Sequence, residues 1–143
     1  MTTRRRRKKL DHRLYGAVLG GSVPAVRAAL RAGADPHGPY ADGTTPLYQA
    51  AVQGNGGVVR LLLELGAAPD TESHGLGAEG TPLCAAACWG HESAVRALLS
   101  HGADPNLPED AGTGLTPLQW AARGPHDGTV ELLVAAGAVD AAG

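Results

Sequence analysis

Cys84, Cys88 and His91 stand at i, i+4 and i+7, close to one face of a helix. Thiolate and imidazole are ligands that zinc favours, but a structural zinc site takes four, and no second pair follows at matching spacing. With two cysteines in 143 residues there is no disulfide framework. The thiols read as small apolar fillers or groove thiols, and a reducing, cytoplasmic setting is the expectation. The stretch GLGAEG at Gly75–Gly80 carries the letters of a phosphate-binding G-x-G-x-x-G ahead of a helical pattern. A dinucleotide site needs a buried strand before those glycines, and PDTESH does not supply one. The bland alternative is a lengthened, flexible loop. The six histidines (12, 37, 74, 91, 101 and 126) and four serines (22, 73, 93 and 100) form no HExxH, GxSxG or P-loop pattern. No enzyme, cofactor or metal is expected.

Charge is the next source of chemistry. Residues 4–9 read RRRRKK, from Arg4, Arg5, Arg6 and Arg7 to Lys8 and Lys9. The other six basic residues face all 14 acidic ones, which leaves residues 10–143 at −8. Such blocks are usually solvated tails, so residues 1–9 are expected as a disordered basic tail on an acidic body. The tail offers an electrostatic contact to nucleic acid or an anionic surface, although no aromatic residues are interleaved with it for base stacking. Nine extended residues span about 30 Å, so the tail could also reach and mask its own acidic face. No apolar run approaches the ~20 residues of a membrane span, and none follows the basic block as a secretory signal would require.

The elements that position these residues repeat. Thr-Pro-Leu occurs at Thr45, Thr81 and Thr116, at intervals of 36 and 35 residues. In that register Ala pairs recur at Ala50–Ala51, Ala86–Ala87 and Ala121–Ala122, and Val recurs at Val59, Val95 and Val130. Apolar pairs recur at 62–63, 98–99 and 133–134, and Gly recurs at Gly66, Gly102 and Gly137. Counting back from Gly33 reaches His12 and an atypical first copy, in which His-Arg-Leu replaces Thr-Pro-Leu. Thr before Pro is an N-cap followed by a residue pre-set for helical φ. Gly54 and Gly90 suit the left-handed cap that ends a first helix, and Gly66 and its equivalents close a second. Asp-, Pro- and Gly-rich turn chemistry fills the rest. A helix-turn-helix unit of this size cannot bury its own apolar face, so the units must stack. Ala and Leu, with no Phe and 3% aromatics, suit closely packed helices. The expected fold is an all-α solenoid of stacked helix-turn-helix units joined by long hairpin-like loops. Its body is residues 10–143, in copies of approximately 10–42, 43–78, 79–113 and 114–143.

The pattern resembles the ankyrin repeat, T-P-L-H-x-A-A with G-A-D after the second helix. The second element reads GADP at Gly33–Pro36 and GADPN at Gly102–Asn106, and is degraded to GAAPD and GAVD in the other copies. The family's His is Tyr48, Cys84 and Gln119 here, which removes its usual hydrogen bonds to neighbouring loops. Pro125 replaces the interhelical Gly of the last copy. The loops before Thr81 and Thr116 are three and two residues longer than the one before Thr45.

The resemblance implies a non-catalytic module that grips a partner protein with loop tips and first helices. Those positions are Tyr40, Asp42, Tyr48, Gln49 and Gln53 in the second copy. They are Leu76, Glu79, Cys88 and Trp89 in the third, and Leu115, Trp120 and Arg123 in the fourth. Four of the five Trp and Tyr residues fall among them, and such residues most often dominate interfaces. Trp120 serves equally well as a filler beside small Ala neighbours. Asp70, Glu72, Glu109 and Asp110 make the loops acidic, which favours a partner with a basic patch. An alternative is an inhibitor or immunity-type protein masking a basic enzyme site; nucleic-acid binding through the tail is another. Leu132, Ala135 and Ala136 of the last helix are expected to leave an apolar end that supports weak self-association.

Overall fold

The computed structural model describes residues 3–75 and 78–139, with Ala78 and Glu79 given by their backbone. The first pairs of helices are α1 (Thr3–Leu19) with α2 (Val23–Arg31), α3 (Pro46–Val52) with α4 (Gly56–Glu64), and α5 (Pro82–Cys88) with α6 (Glu92–Ser100). A single turn, α7 (Glu109–Gly112), precedes the last pair, α8 (Pro117–Ala122) with α9 (Asp127–Ala135). First helices stack in the order α1, α3, α5, α8, and second helices in the order α2, α4, α6, α9. The result is the all-α repeat solenoid that the repeated motif requires.

Each Thr-Pro start works as its chemistry dictates. Thr45, Thr81 and Thr116 accept hydrogen bonds from the amides of Tyr48, Cys84 and Gln119 at 3.1, 3.1 and 3.2 Å. In the last copy the Gln119 side chain returns a bond from the Thr116 amide at 2.9 Å, closing a capping box. Between the helix layers Leu62, Leu98 and Leu133 are fully buried, each contributing about 1.5–3 kcal/mol by leaving water. Ala50, Ala86 and Ala121 are also fully buried, where their small side chains let first helices approach closely.

Polar ladders tie successive copies. Asn55 donates to the Gly21 carbonyl at 2.9 Å. At the same repeat position, ring nitrogens of His91 and His126 lie 2.9 and 3.1 Å from the carbonyls of Val52 and Cys88. His91 is therefore engaged with the preceding copy, apart from the two thiols it accompanies in sequence. Gly54 and Gly90 take φ of 71° and 68°, the left-handed caps that only Gly adopts without strain. On the loop side Asp70 accepts from the Asp104 amide at 3.0 Å. Asn106 bonds both the Gly137 carbonyl and the Val139 amide, at 3.0 and 2.9 Å.

One expectation needs correction. The basic residues 4–9 form the opening turns of α1 rather than a disordered tail. With His12 and Arg13 in place of Thr-Pro, nothing stops the helix there, and Arg, Lys and Leu are good helix formers. Leu10 packs on the core and Arg7 approaches Asp35. The lengthened loop after α4 carries a hairpin, in keeping with the hairpin-like loops expected between units. Strands β1 (Ser73–Gly75) and β2 (Ala78–Gly80) pair antiparallel, Ser73 with Gly80 and His74 with Glu79. The His74 amide also bonds the Gly43 carbonyl of the previous loop at 3.2 Å. These strands are the flanks of GLGAEG, so the sequence lies in a loop hairpin and not in a βαβ unit. Among the described residues no helix is long and apolar enough to cross a membrane.

Candidate partner-binding groove

A depression lies where the first helices α3, α5 and α8 meet the turn α7. Tyr48 of α3, Cys84, Ala85 and Cys88 of α5, Trp89 just after it and Trp120 of α8 line one depression of about 490 Å³. Glu109 and Asp110 of α7 complete it. Trp89 is 63% exposed, because it occupies the C-cap of α5 beyond the buried Ala pair. It also borders a second depression with Val52, Gln53 and His91. A large indole left open between two concavities has the character of an interface anchor.

Trp120 is half-buried, and the Arg123 guanidinium sits over its ring at 5.3 Å. Its indole Nε1 is buried with no partner at full hydrogen-bond geometry among the described residues. Glu109 lies on that side. Burial raises the Glu109 pKa above the ordinary glutamate value, the indole N–H pulls it down, and Asp110 and Glu72 push it further up. The indole and the carboxylate are thus near one another without a closed bond. A cation entering here would gain a carboxylate and an aromatic face together.

The turn that presents Glu109 is strained. Asp110 and Ala111 take φ of 53° and 54°, a left-handed region that costs non-glycine residues of order 1 kcal/mol or more each. Local bonds hold it: the Ala111 amide donates to Glu72 at 2.8 Å, and the Gly114 amide to the Glu109 carbonyl at 2.9 Å. Cys84, at the family's His position, directs its thiol to the carbonyls of Leu115 and Leu107 at 3.5 and 3.9 Å. It thereby links α5 to the next loop, the kind of contact that loss of the His was expected to remove. Burial pushes its pKa up to about 12. Cys88, half-buried, is raised less, again chiefly by burial.

The expected contact residues divide. Tyr48, Cys88, Trp89, Trp120 and, over its ring, Arg123 come together at the acidic depression, and Gln53 joins Trp89 in its neighbour. Gln49 is a correction: it is only 8% exposed, turned inward among the stacked first helices. Tyr40 is equally buried, against Tyr15, while Asp42 is exposed and caps its own turn through the Thr44 amide at 2.9 Å. Leu115 is half-buried and contributes its carbonyl to Cys84. Leu76 lies outside the described residues, and Glu79 belongs to β2. Leu132 is half-buried, whereas Ala135 and Ala136 are exposed. The interrepeat roles of His91 and His126 went unread in the sequence, although their shared repeat position was a usable signal.

A family model described as "Ankyrin repeats (3 copies)" matches residues 14–109 and, in a second placement, residues 74–142. A comparison with curated proteins finds no match. Ankyrin repeats are generally protein–protein interaction modules and typically non-catalytic. With helix pairs stacked in register, Thr-Pro caps on α3, α5 and α8, and a family match over nearly its whole length, the chain belongs to the ankyrin repeat family.

Proposed function

We propose that this protein is a non-catalytic binding module whose concave groove takes an exposed Arg or Lys of a partner protein between Trp89, Trp120 and Glu109. The observation that carries the reading is the open Trp89 indole, which lines one depression with Glu109, a carboxylate whose pKa is raised chiefly by burial. Interface cores favour aromatic anchors, and a cation over an indole gains about 0.5–2 kcal/mol according to its desolvation. Asp110 and Glu72 extend the acidic field and speed the approach of a basic surface. An inhibitor that covers a basic enzyme site uses the same groove, and differs in that its partner loses activity stoichiometrically.

Selection from a random displayed-peptide library tests this reading. Peptides retained by the wild-type protein should be enriched in Arg and Lys, and Glu109→Arg/Asp110→Arg should abolish that enrichment while its melting curve stays cooperative. Retention of the same sequences by both proteins contradicts the proposal. Affinity for such peptides should also fall as pH drops toward the ordinary glutamate value of 4.5, because protonating Glu109 removes the attracting charge. The exposed Val134, Ala135 and Val139 support a second, weaker contact between copies of the fourth repeat. Sedimentation equilibrium at rising concentration should detect it, and Val134→Lys should remove it; a monomer throughout contradicts it.

A further inference from the structure

At the opposite end of the row a groove of about 570 Å³ runs between the opening turns of α1 and the loop tip Pro39–Asp42. Arg4, Arg7 and Lys8 line its first part, one helical turn apart on a single face. Tyr15 and Tyr40, packed edge to face at 5.1 Å, form the apolar wall, and Asp11 and Asp42 also line the groove. None of the three cations is given an ion pair by any described residue, although Arg7 feels the charge of Asp35. The Tyr40 hydroxyl is buried with no hydrogen-bond partner among the described residues. Burial, then Tyr15, Asp11 and Asp42, raise its pKa. Three cations without ion pairs beside an aromatic wall form a site for a carboxylate, which gains charge-assisted hydrogen bonds there.

We infer that this groove is a second recognition site, separate from the acidic one, and that it takes a short acidic peptide segment. The acidic side chains meet Arg4, Arg7 and Lys8, and the rest of the segment lies along the wall formed by Tyr15 and Tyr40. The cations span about one helical turn, about 5 Å, which suits one or two carboxylates. Asp11 and Asp42 repel a longer anionic run. That limit favours an acidic peptide over nucleic acid, whose phosphates recur without interruption.

Backbone amide NMR of the full chain, with three probes at one ionic strength, tests the site. The probes are a Gly/Ser-flanked Glu-Glu peptide, its Lys-Lys counterpart and a ten-nucleotide oligothymidine. The inference expects saturable shifts at residues 4–15 and 40–42 with the Glu-Glu peptide alone. Arg4→Ser/Lys8→Ser should abolish them. Absence of shifts, equal shifts with Lys-Lys, or tighter binding of oligothymidine at these residues overturns it. Shifts at Trp89 and Trp120 belong to the other groove, so the two readings fail separately.

Discussion

The second and third copies bury what the fourth leaves open, at the same repeat positions. Leu47 and Leu83 are buried while Leu118 is half-buried; Ala51 and Ala87 are fully buried while Ala122 is exposed. Val59 and Val95 are fully buried while Val130 is not, and Leu63 is 6% exposed against 54% for Val134. The residue types are nearly the same, so the difference comes from the neighbour and not from the residue. An interior copy is covered on both sides, whereas no described element covers the outer side of α8 and α9. Stability in such an array resides in interfaces between copies as much as within them.

The sharpest way to break the comparison is a cavity. Leu98→Ala, between α5, α6 and their neighbours, should cost about 3–5 kcal/mol in chemical denaturation, whereas Leu118→Ala should cost about 1–2. Equal costs would show that burial differences between copies do not set stability. The caps give a smaller contrast. Thr81 is almost fully buried, so Thr81→Ala should cost about 1.5–2 kcal/mol and Thr116→Ala about 0.5–1, read from the same denaturation curves. At the open edge, Val134→Ala should change stability by less than about 0.5 kcal/mol.

Thiol chemistry sharpens the comparison further. Cys84 is sealed under the carbonyls of Leu107 and Leu115, so alkylation should be much slower at Cys84 than at Cys88, with mass spectrometry resolving the sites. A fourth copy that opens locally would bring the two rates together. The folded thiol keeps its proton to about pH 12, against an ordinary value of 9.0. The unfolded chain loses that proton first, so Cys84 should make the fold less stable as pH rises from about 9 toward 12. Replacing Cys84 with Ala should flatten that part of the pH profile.

Much of the fold is legible because backbone chemistry writes it. Thr-Pro fixes where α3, α5 and α8 begin, and Gly54, Gly90 and their equivalents fix where helices end. The start of α1 is not legible, because a missing cap does not say how far a helix runs back and a block of like charges usually argues against one. The left-handed turn at Asp110 and Ala111 is hidden too, since neither is the Gly that such φ values favour. Of the groove, Trp89 and Trp120 could be named from repeat register alone. Glu109 could be assigned to the acidic loop, but its approach to the Trp120 indole depends on that unforeseen turn. Gln49 shows the limit of register: its position faces the groove in the family pattern, yet here the side chain turns into the stack.

The chain has only two tryptophans, so its NMR spectrum carries two indole N–H signals, both from the proposed groove. Titration with an Arg-Arg peptide should move both signals saturably, while a Glu-Glu peptide of equal length and at equal ionic strength leaves them in place. Indole signals that ignore the arginine peptide, or that respond equally to both, would contradict the account of this groove as the seat of recognition for a cation.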